Sequence, residues 1–347
     1  MDKKVRYFRT DGNQEIGIGH IMRCLSIAEA FRKRGDDSVF IVADEAVENM
    51  IKRRGFRTIC LNTKWNCLDF ETDVICREIQ NRGIDALILD SYFVSQKYLE
   101  KLSKITKTVY IDDLNSFIYP VNLLINYNIY APEFNYRQRY KAASLKTEFA
   151  LGCKYVPLRD KFVKVSRKTA EKVKKIFITT GGTDKYNVAG KLLEKLRMEN
   201  WFAETDYYVI IGKFNVNKEN LARRWKDCGN VYLLYDVNDI SLYMKECDLA
   251  ITAGGVTVYE LMACGIPSVS YIIADNQLNA AKTLSRQNLI ACAGDVRSDL
   301  SAAVDNVVRE IVYLRNDVSL RNEISRRMQD TVDGLGSQRL AQIISNI

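Results

Sequence analysis

The chain has 347 residues, which exceeds one typical hydrophobic core and suits two domains of about 150 residues each. It is 47% hydrophobic and 27% charged, an ordinary globular composition, and no run approaches the roughly 20 apolar residues that span a bilayer. The net charge of +8 is spread along the chain, which indicates solvated faces or attraction to an anionic substrate or membrane surface, and basic residues do not alternate with aromatic ones as in nucleic-acid binding.

The amino terminus and the cysteines indicate the compartment. The first residues lack the apolar middle of a secretory signal and lead directly into a strand pattern. The nine cysteines are an odd number, contain no C-x-x-C pair and mostly have apolar neighbours. This usage predicts reduced, buried thiols and a cytoplasmic location. With one histidine in the chain and no paired cysteines, no zinc or other metal site is expected.

The first half alternates strand-like and helix-like segments. Residues 20–35 predict a helix whose apolar face carries Ile21, Leu25, Ala28 and Phe31. Continuous apolar segments between helices predict a parallel sheet that is covered on both faces. The predicted strands of this half are residues 4–10, 38–44, 85–92, 106–113 and 121–128.

The same pattern restarts after the middle of the chain. The predicted strands are residues 174–182, 206–212, 230–236, 247–255 and 267–273, and one or two helices follow residue 319. The fold class is therefore α/β, with two doubly wound Rossmann-like domains at residues 1–158 and 159–347. Ligands of such sheets bind beyond the carboxyl ends of the strands, so two facing domains predict a central cleft.

Two glycine pairs follow strands of the second domain. Gly181 and Gly182, in "ITTGGTDKYN", either let backbone N–H groups and a helix N-terminus approach a phosphate or form a tight structural turn. The longer segment "AITAGGVTVYELMACGIPSVSYIIADNQ" repeats the arrangement with Gly254 and Gly255.

Polar residues follow the second glycine pair. Thr257 is predicted to cap the next helix, and Glu260 either completes a capping box or accepts hydrogen bonds from a ribose diol. Asn276 and Gln277 are uncharged groups that can contact sugar hydroxyls or phosphate oxygens.

The only histidine, His20, lies in "IGIGHIMRC", between a strand and a helix. A helix N-terminus disfavours the protonated imidazole, and a general base must be neutral, although a backbone-bonded structural histidine fits the same position. Gly17 and Gly19 would let a substrate approach this loop. Arg23, one turn along the helix, either meets a phosphate or a sugar acyl group or is an exposed cation.

Three further polar residues follow strands of the first domain. Asp11 is expected to orient sugar groups or His20, and Asp90 and Tyr92 are expected to face the same cleft. The alternative for all three is strand-end capping and packing.

These motifs together resemble known families. Residues 250–277 resemble the nucleotide-sugar signature of two-domain GT-B proteins, notably the MurG-like group. The segment "RTDGNQEIGIGHIMRCLSIAEAFRKRG" resembles more narrowly the opening of the UDP-2,4-diacetamido-2,4,6-trideoxy-altropyranose hydrolases of the pseudaminic acid pathway. Residues 89–92, 155–162, 179–187 and 333–340 fit the same family, although "VPLRDKF", which contains Arg159, departs from a commoner aliphatic form.

The resemblance implies metal-independent, inverting hydrolysis of a UDP-linked diacetamido trideoxy hexose, with no cofactor and no nucleic-acid partner or stable membrane insertion. His20 would activate water for attack on the anomeric carbon, and the absence of a D-x-D motif agrees with metal independence. The alternatives are a MurG-like UDP-sugar glycosyltransferase of surface polysaccharide synthesis and a binding protein without chemistry; the oligomeric state stays open. The expected substrate-binding residues are Asp11, Gly17, Gly19, Arg23, Asp90, Tyr92, Arg159, Gly181, Gly182, Asn187, Gly254, Gly255, Thr257, Glu260, Asn276 and Gln277.

Overall fold

The protein consists of two compact α/β units. The structure, a computed structural model, describes residues 3–235, 237 and 239–347. One unit comprises Met1–Asp160 and Gly334–Ile347, and the other comprises Lys161–Asp333. Each unit has its own parallel sheet, which confirms the predicted pair of doubly wound domains.

The first unit contains a seven-stranded sheet of order β3-β2-β1-β4-β5-β6-β7, in which every pairing is parallel. Strands β1, β2 and β4 to β6 are almost wholly buried because helices cover both faces of the sheet. The strands are β1 (Val5–Thr10), β2 (Asp37–Val42), β3 (Arg57–Cys60), β4 (Ala86–Asp90), β5 (Lys107–Ile111), β6 (Leu123–Asn126) and β7 (Glu148–Leu151).

The helices of this unit connect successive parallel strands. The helix that follows β1 is buried around most of its circumference, including its polar residues His20 and Arg23. The helices are α1 (Gly19–Lys33), α2 (Glu48–Arg53), α3 (Thr72–Arg82), α4 (Gln96–Ser103) and α5 (Tyr136–Ala142).

The second unit repeats this architecture with a six-stranded parallel sheet of order β10-β9-β8-β11-β12-β13. Its strands are β8 (Lys175–Thr179), β9 (Asp206–Ile211), β10 (Val231–Tyr235), β11 (Leu249–Ala253), β12 (Ser268–Ile272) and β13 (Ala291–Asp295). Its helices are α6 (Val188–Leu196), α7 (Lys218–Trp225), α8 (Ile240–Glu246), α9 (Thr257–Cys264), α10 (Leu278–Arg286), α11 (Leu300–Asn316) and α12 (Val318–Thr331).

The last helix, α13 (Gly336–Ser345), returns to the first unit, so the expectation that residues 159–347 form one domain is wrong for its final segment. The helix packs on α1 and buries Leu340, Ala341 and Ile344. The hydroxyl of Ser337 donates to the carbonyl of Leu158 at 2.8 Å. This apolar face is the physical reason that the chain crosses back after residue 333.

Three strands were not predicted, namely β3, β7 and β13. The predicted strand 230–236 appears as β10, and its last residue, Asp236, lies outside the described residues. None of the nine cysteines forms a disulfide; three are buried as expected, and the other six are half-buried. Among the helices of the described residues, none has the length and apolarity needed to cross a membrane.

Candidate active site

The polar centre of the first unit lies where the strand order reverses, between β1 and β4. The connection after β1 leads outward to β2, and the chain later returns to place β4 on the other side of β1. The carboxyl ends of two strands that diverge in this way leave room for polar side chains and ligands. His20, at the start of α1, and Asp90, the last residue of β4, meet at this point.

The loop before α1 is a closed turn that fixes the start of the helix. The N–H of Asn13 donates to the carbonyl of Gly17 at 3.2 Å. The side-chain oxygen of Asn13 accepts the N–H groups of Glu15 at 2.8 Å and Ile16 at 3.0 Å. Gly17 has φ of +73°, which favours glycine, and neither Gly17 nor Gly19 has other atoms close to the position of a Cβ. The loop therefore leaves open space beside the helix start.

His20 is held through one of its two ring nitrogens. Its Nδ1 lies 2.7 Å from Oδ1 of Asp90, and the side chain is 7% exposed. Asp90 can only accept a hydrogen bond, so this contact of 2.7 Å favours the proton on Nδ1 and the lone pair on Nε2, against the opposing effect of Nη2 of Arg23, a donor that lies 3.0 Å from Nδ1. This tautomer is the one that a general base requires.

The carboxyl of Asp90 is ionised and receives several donors. Nε and Nη2 of Arg23 donate to its two oxygens at 2.5 Å each, and Sγ of Cys24 lies 3.5 Å from Oδ2. Burial opposes ionisation of Asp90, but Arg23 and His20 outweigh it and hold the pKa of the carboxyl well below its usual range. Asp90 therefore orients His20 rather than contacting a substrate directly.

Arg23 is almost wholly buried, with 4% of its side chain exposed, so the expectation of an exposed cation is wrong. Besides its two bonds to Asp90, its Nη1 donates to Oδ2 of Asp113 at 2.7 Å and to the hydroxyl of Tyr127 at 2.6 Å. These partners engage the guanidinium inside the protein. Arg23 therefore organises the site instead of offering its charge to solvent.

Tyr92 lies directly against the histidine. The two rings meet edge to face, with centroids 4.5 Å apart, and the Tyr92 hydroxyl donates to Oδ2 of Asp113 at 2.9 Å. Burial, followed by the charge of Asp113, raises the pKa of Tyr92 well above its usual value, which keeps the phenol neutral. Asp90 and Tyr92 thus both contact His20.

Sequence reasoning missed Asp113, which follows β5. Its Oδ1 accepts the side-chain amide of Asn128 at 2.9 Å, and its Oδ2 accepts from both Arg23 and Tyr92. The available signal was the pair of aspartates, Asp112 and Asp113, at the carboxyl end of a predicted strand next to the one that ends in Asp90.

Asp11 occupies a different network. Its Oδ1 accepts the N–H of Ala43 at 2.7 Å, and its Oδ2 accepts from Arg9 at 2.5 Å. Arg9 in turn forms a fully buried pair with Glu71, with two hydrogen bonds of 2.7 Å. Both oxygens of Asp11 thus bind groups that connect β1, β2 and the segment before α3, so the expectation that Asp11 orients His20 is wrong.

In the second unit, the first glycine turn differs from the expected phosphate site. Asp184 accepts the N–H groups of Val188 at 2.7 Å and Ala189 at 3.2 Å and so closes the N-terminus of α6. A phosphate cannot share these donors with a carboxylate without strong repulsion. Gly181, with φ of +83°, and Gly182 are exposed before this cap, so only the turn itself, not the helix N-terminus, is available to an anion.

Asn187 does not cap α6 with its side chain, although it is the N-cap residue. Its backbone is left-handed, with φ of +52°, and its amide lies against Gly190. Its Oδ1 is buried and has no hydrogen-bond partner among the described residues.

The second glycine turn presents an uncapped helix. Helix α9 starts at Thr257, its N-cap residue is Val256, and no side chain caps it, so the predicted capping role of Thr257 is wrong. The reason is that the turn becomes helical one residue earlier, with Val256 already in the right-handed α conformation. An uncapped N-terminus presents partial positive charge to an anion.

Gln277 lies beside this second turn. Its Oε1 accepts the N–H of Ile273 at 2.9 Å, which leaves its Nε2 near Gly255. A Cβ on Gly254 would lie 3.4 Å from Cβ of Gln277, so the glycine allows a close approach. The structure therefore brings Gly254, Gly255 and Gln277 together.

The remaining predicted residues are Glu260, Asn276 and Arg159. Glu260 is half-buried in the first turn of α9, and Asn276 is exposed in the short 3-10 helix before α10. Arg159 is half-buried near the end of the first unit. Within the described residues, no group of three or more His, Cys, Asp or Glu side chains is arranged to hold a metal ion.

Comparison with known proteins adds relatives of three kinds. The chain is 29% identical over 280 residues to uncharacterized protein MJ1062 of Methanocaldococcus jannaschii, covering 78% of this chain and 55% of that relative's length. It is 22% identical to the spore coat polysaccharide biosynthesis protein SpsG of Bacillus subtilis, over 97% of this chain and 96% of SpsG. It is 25% identical to the UDP-2,4-diacetamido-2,4,6-trideoxy-beta-L-altropyranose hydrolase of Campylobacter jejuni, over 81% of this chain and 96% of the hydrolase.

Solved structures agree on the fold. No family model matches the chain. The structure of Acinetobacter baumannii MurG superposes with a TM-score of 0.69 at 16% identity and covers 100% of both chains. Together with the two parallel-sheet units, this similarity gives the chain the GT-B fold. The chain thus has the GT-B fold, which it shares with MurG, and is similar in sequence to UDP-2,4-diacetamido-2,4,6-trideoxy-beta-L-altropyranose hydrolases.

Proposed function

We propose that the chain hydrolyses a UDP-linked 2,4-diacetamido-2,4,6-trideoxy hexose and releases UDP and the free sugar for nonulosonic acid synthesis. The observation that carries this proposal is the contact of 2.7 Å between Nδ1 of His20 and ionised Asp90. It leaves Nε2 as a proton acceptor at the polar edge of the first sheet. The similarity to two proteins named as UDP-2,4-diacetamido-2,4,6-trideoxy-beta-L-altropyranose hydrolases supports the choice of substrate.

The proposed reaction is a single displacement at the anomeric carbon. Nε2 of His20 takes a proton from water while the water oxygen bonds to C1 of the sugar. The bond between C1 and the diphosphate oxygen breaks, its electron pair leaves with UDP, and the configuration at C1 inverts. Asp90 stabilises the imidazolium that forms.

The second unit would bind the nucleotide. The N-terminus of α9, which no side chain caps, offers partial positive charge to the diphosphate and would stabilise the leaving group without a metal ion. The turn at Gly254 and Gly255 would allow a close approach, since its own N–H groups donate to the carbonyls of Tyr271 and Ala253. Glu260, in the first turn of α9, would accept the ribose hydroxyls. Gly181, Gly182, Thr257, Asn276 and Gln277 complete the proposed ligand set, with Asn187 beside the first turn.

A glycosyltransferase is the second candidate. The similarity to MurG over the whole chain supports it, because the same base would deprotonate a hydroxyl of an acceptor instead of water. The two reactions differ in their requirement for an acceptor.

The test is release of UDP from the purified chain and the UDP-linked diacetamido trideoxy sugar, with chelator present and no acceptor or membranes. Turnover under these conditions supports the hydrolase. Turnover only after addition of an acceptor or membranes would replace it by the transferase, and turnover only after addition of a divalent metal would overturn metal independence.

A further inference from the structure

We propose that Asp113 is a positioning residue that acts on His20 through Arg23 and Tyr92, and that it leaves the buried cluster with one excess negative charge until His20 is protonated. This inference deepens the proposed function and rests on His20 being its base. The cluster consists of His20, Arg23, Asp90, Tyr92 and Asp113.

The hydrogen bonds show that both carboxylates are ionised. Asp113 is contacted by an Arg23 N–H group, the Tyr92 hydroxyl and the Asn128 amide, all of which are donors. Asp90 likewise receives donors from His20 and Arg23. A carboxyl surrounded only by donors is stabilised as the anion.

The other groups around the histidine carry no charge. Tyr92 faces the His20 ring, Cys24 contacts Asp90, and the Tyr127 hydroxyl accepts from Arg23. Burial raises the pKa of each of these three groups above its usual value, so they stay neutral. Within residues 3–235, 237 and 239–347, Arg23 is thus the only lysine or arginine that forms an ion pair with Asp90 or Asp113.

The charges of the cluster do not balance while His20 is neutral. Arg23 contacts both Asp90 and Asp113 and contributes one positive charge against their two negative charges. With neutral His20 the cluster has one unbalanced negative charge, and with the imidazolium it is neutral. Because the cluster is buried and weakly screened, this excess negative charge favours proton uptake by His20 in the reaction.

Asp113 also fixes the geometry of both neighbours. Its Oδ2 holds Nη1 of Arg23 at 2.7 Å and the Tyr92 hydroxyl at 2.9 Å, so one oxygen links the partner of Asp90 to the ring that packs on His20. Without this carboxylate, the charge of Arg23 would balance that of Asp90, and no excess negative charge would favour protonation of His20.

The single histidine makes the test direct, because one imidazole gives one NMR titration curve. We expect Asp113→Asn to move the titration midpoint of His20 to lower pH, because the substitution removes a nearby negative charge that favours the imidazolium. Arg23→Gln should move it in the opposite direction. The acid limb of the kcat/KM profile of Asp113→Asn should shift together with the NMR midpoint.

Asp112→Asn is the matched control, since Asp112 is the neighbouring buried carboxylate and binds Tyr119 and Tyr136 instead. Its midpoint should equal that of the wild type. A wild-type midpoint in Asp113→Asn overturns the proposal, as does an equal shift in the control. Should Asp113→Asn not fold, a failure of Arg23→Gln to raise the midpoint overturns it. The titration needs no substrate, so a chain that turns over no UDP-sugar would contradict the proposed function and leave this test intact.

Discussion

At the scale of single residues, the central feature is that Asp90 favours the tautomer of His20 with the proton on Nδ1. Asp90 binds Nδ1, and Arg23 binds both oxygens of Asp90, so the carboxylate cannot rotate away from the ring. A buried arrangement of this kind is preorganised, and little reorganisation remains for the moment of reaction. The position of the histidine in the sequence matters because the first turn of α1 points at the end of β4.

Replacing Asp90 by Asn should therefore lower the rate of the reaction much more than it weakens the binding of substrate. An amide can present its N–H₂ group to Nδ1, which favours the tautomer with the proton on Nε2 and removes the base. We expect kcat to fall by about 10²- to 10⁴-fold with a small change in KM. Steady-state release of UDP measures this, with Asp73→Asn, an exposed carboxylate, as the control. Unchanged kcat in Asp90→Asn would contradict the role of the pair.

At the scale of elements, the turn between β8 and α6 is organised by Asp184. Burial raises the pKa of this carboxyl to about 6, against the opposing effect of the N–H groups of Val188 and Ala189. The native state therefore holds a proton that the unfolded chain releases between about pH 4 and pH 6. Stability contributed by this group falls as the pH rises through that window.

The variant Asp184→Asn tests this dependence because an amide oxygen still caps α6 but does not titrate. The unfolding free energy of the variant minus that of the wild type should grow between pH 4 and pH 7, by at most about 3 kcal/mol. Urea denaturation across this range measures it, with exposed Asp227→Asn as the control. A difference that does not change with pH would show that Asp184 stays ionised in the native protein.

The second element-scale prediction concerns Gly212, which follows β9. A Cβ at this position would overlap the carbonyl oxygens of Gly181 and Gly182, so Gly212→Ala must displace the first glycine turn. We expect a loss of about 1–3 kcal/mol in stability and at least a tenfold weaker affinity for UDP. Calorimetric titration with UDP checks this against Gly229→Ala, whose Cβ would meet nothing. Unchanged UDP affinity would show that the first glycine turn is not part of the nucleotide site.

At the scale of the whole molecule, the chain ends in the unit in which it began. Gly336 starts α13 where a Cβ would overlap the backbone of Tyr155 and Val156. Gly336→Ala should therefore detach the helix from its seat and lower the stability of the first unit by about 2–4 kcal/mol. Thermal unfolding and hydrogen exchange of α1 measure the effect beside Gly229→Ala. Equal protection of α1 in the two variants would show that the helix seat tolerates the change.

The sequence predicted most of the fold because long apolar strands alternate with helices in both halves. It did not predict β13, since the segment Ala291–Asp295 contains small residues and a glycine in place of β-branched ones. It did not predict the return of α13 because the partner surface on α1 is more than 300 residues away in the chain. Periodicity reports which face of a helix is apolar but not which surface covers it.

Residues of the candidate site could be predicted where they follow a strand or begin a helix within a recognisable motif. His20 and Asp90 both lie at the edge where strand order reverses, and the reading of the turn and the strand end led to both. Asp11 and Asp113 show the limit, because each follows a strand and only the packed structure reveals that one binds Arg9 and the other Arg23. Side-chain pairing across strands depends on rotamers and burial, which no single segment specifies.

Hydrolysis of the UDP-linked diacetamido trideoxy sugar in ¹⁸O-labelled water, by the wild type and by His20→Ala, would decide whether His20 directs water to the anomeric carbon. Attack at C1 with His20 as the base predicts the label in the free sugar, none in UDP, and loss of turnover in the variant. Label in UDP would mean that water attacks phosphorus, and full turnover by His20→Ala would mean that another group is the base; either result would contradict the mechanism.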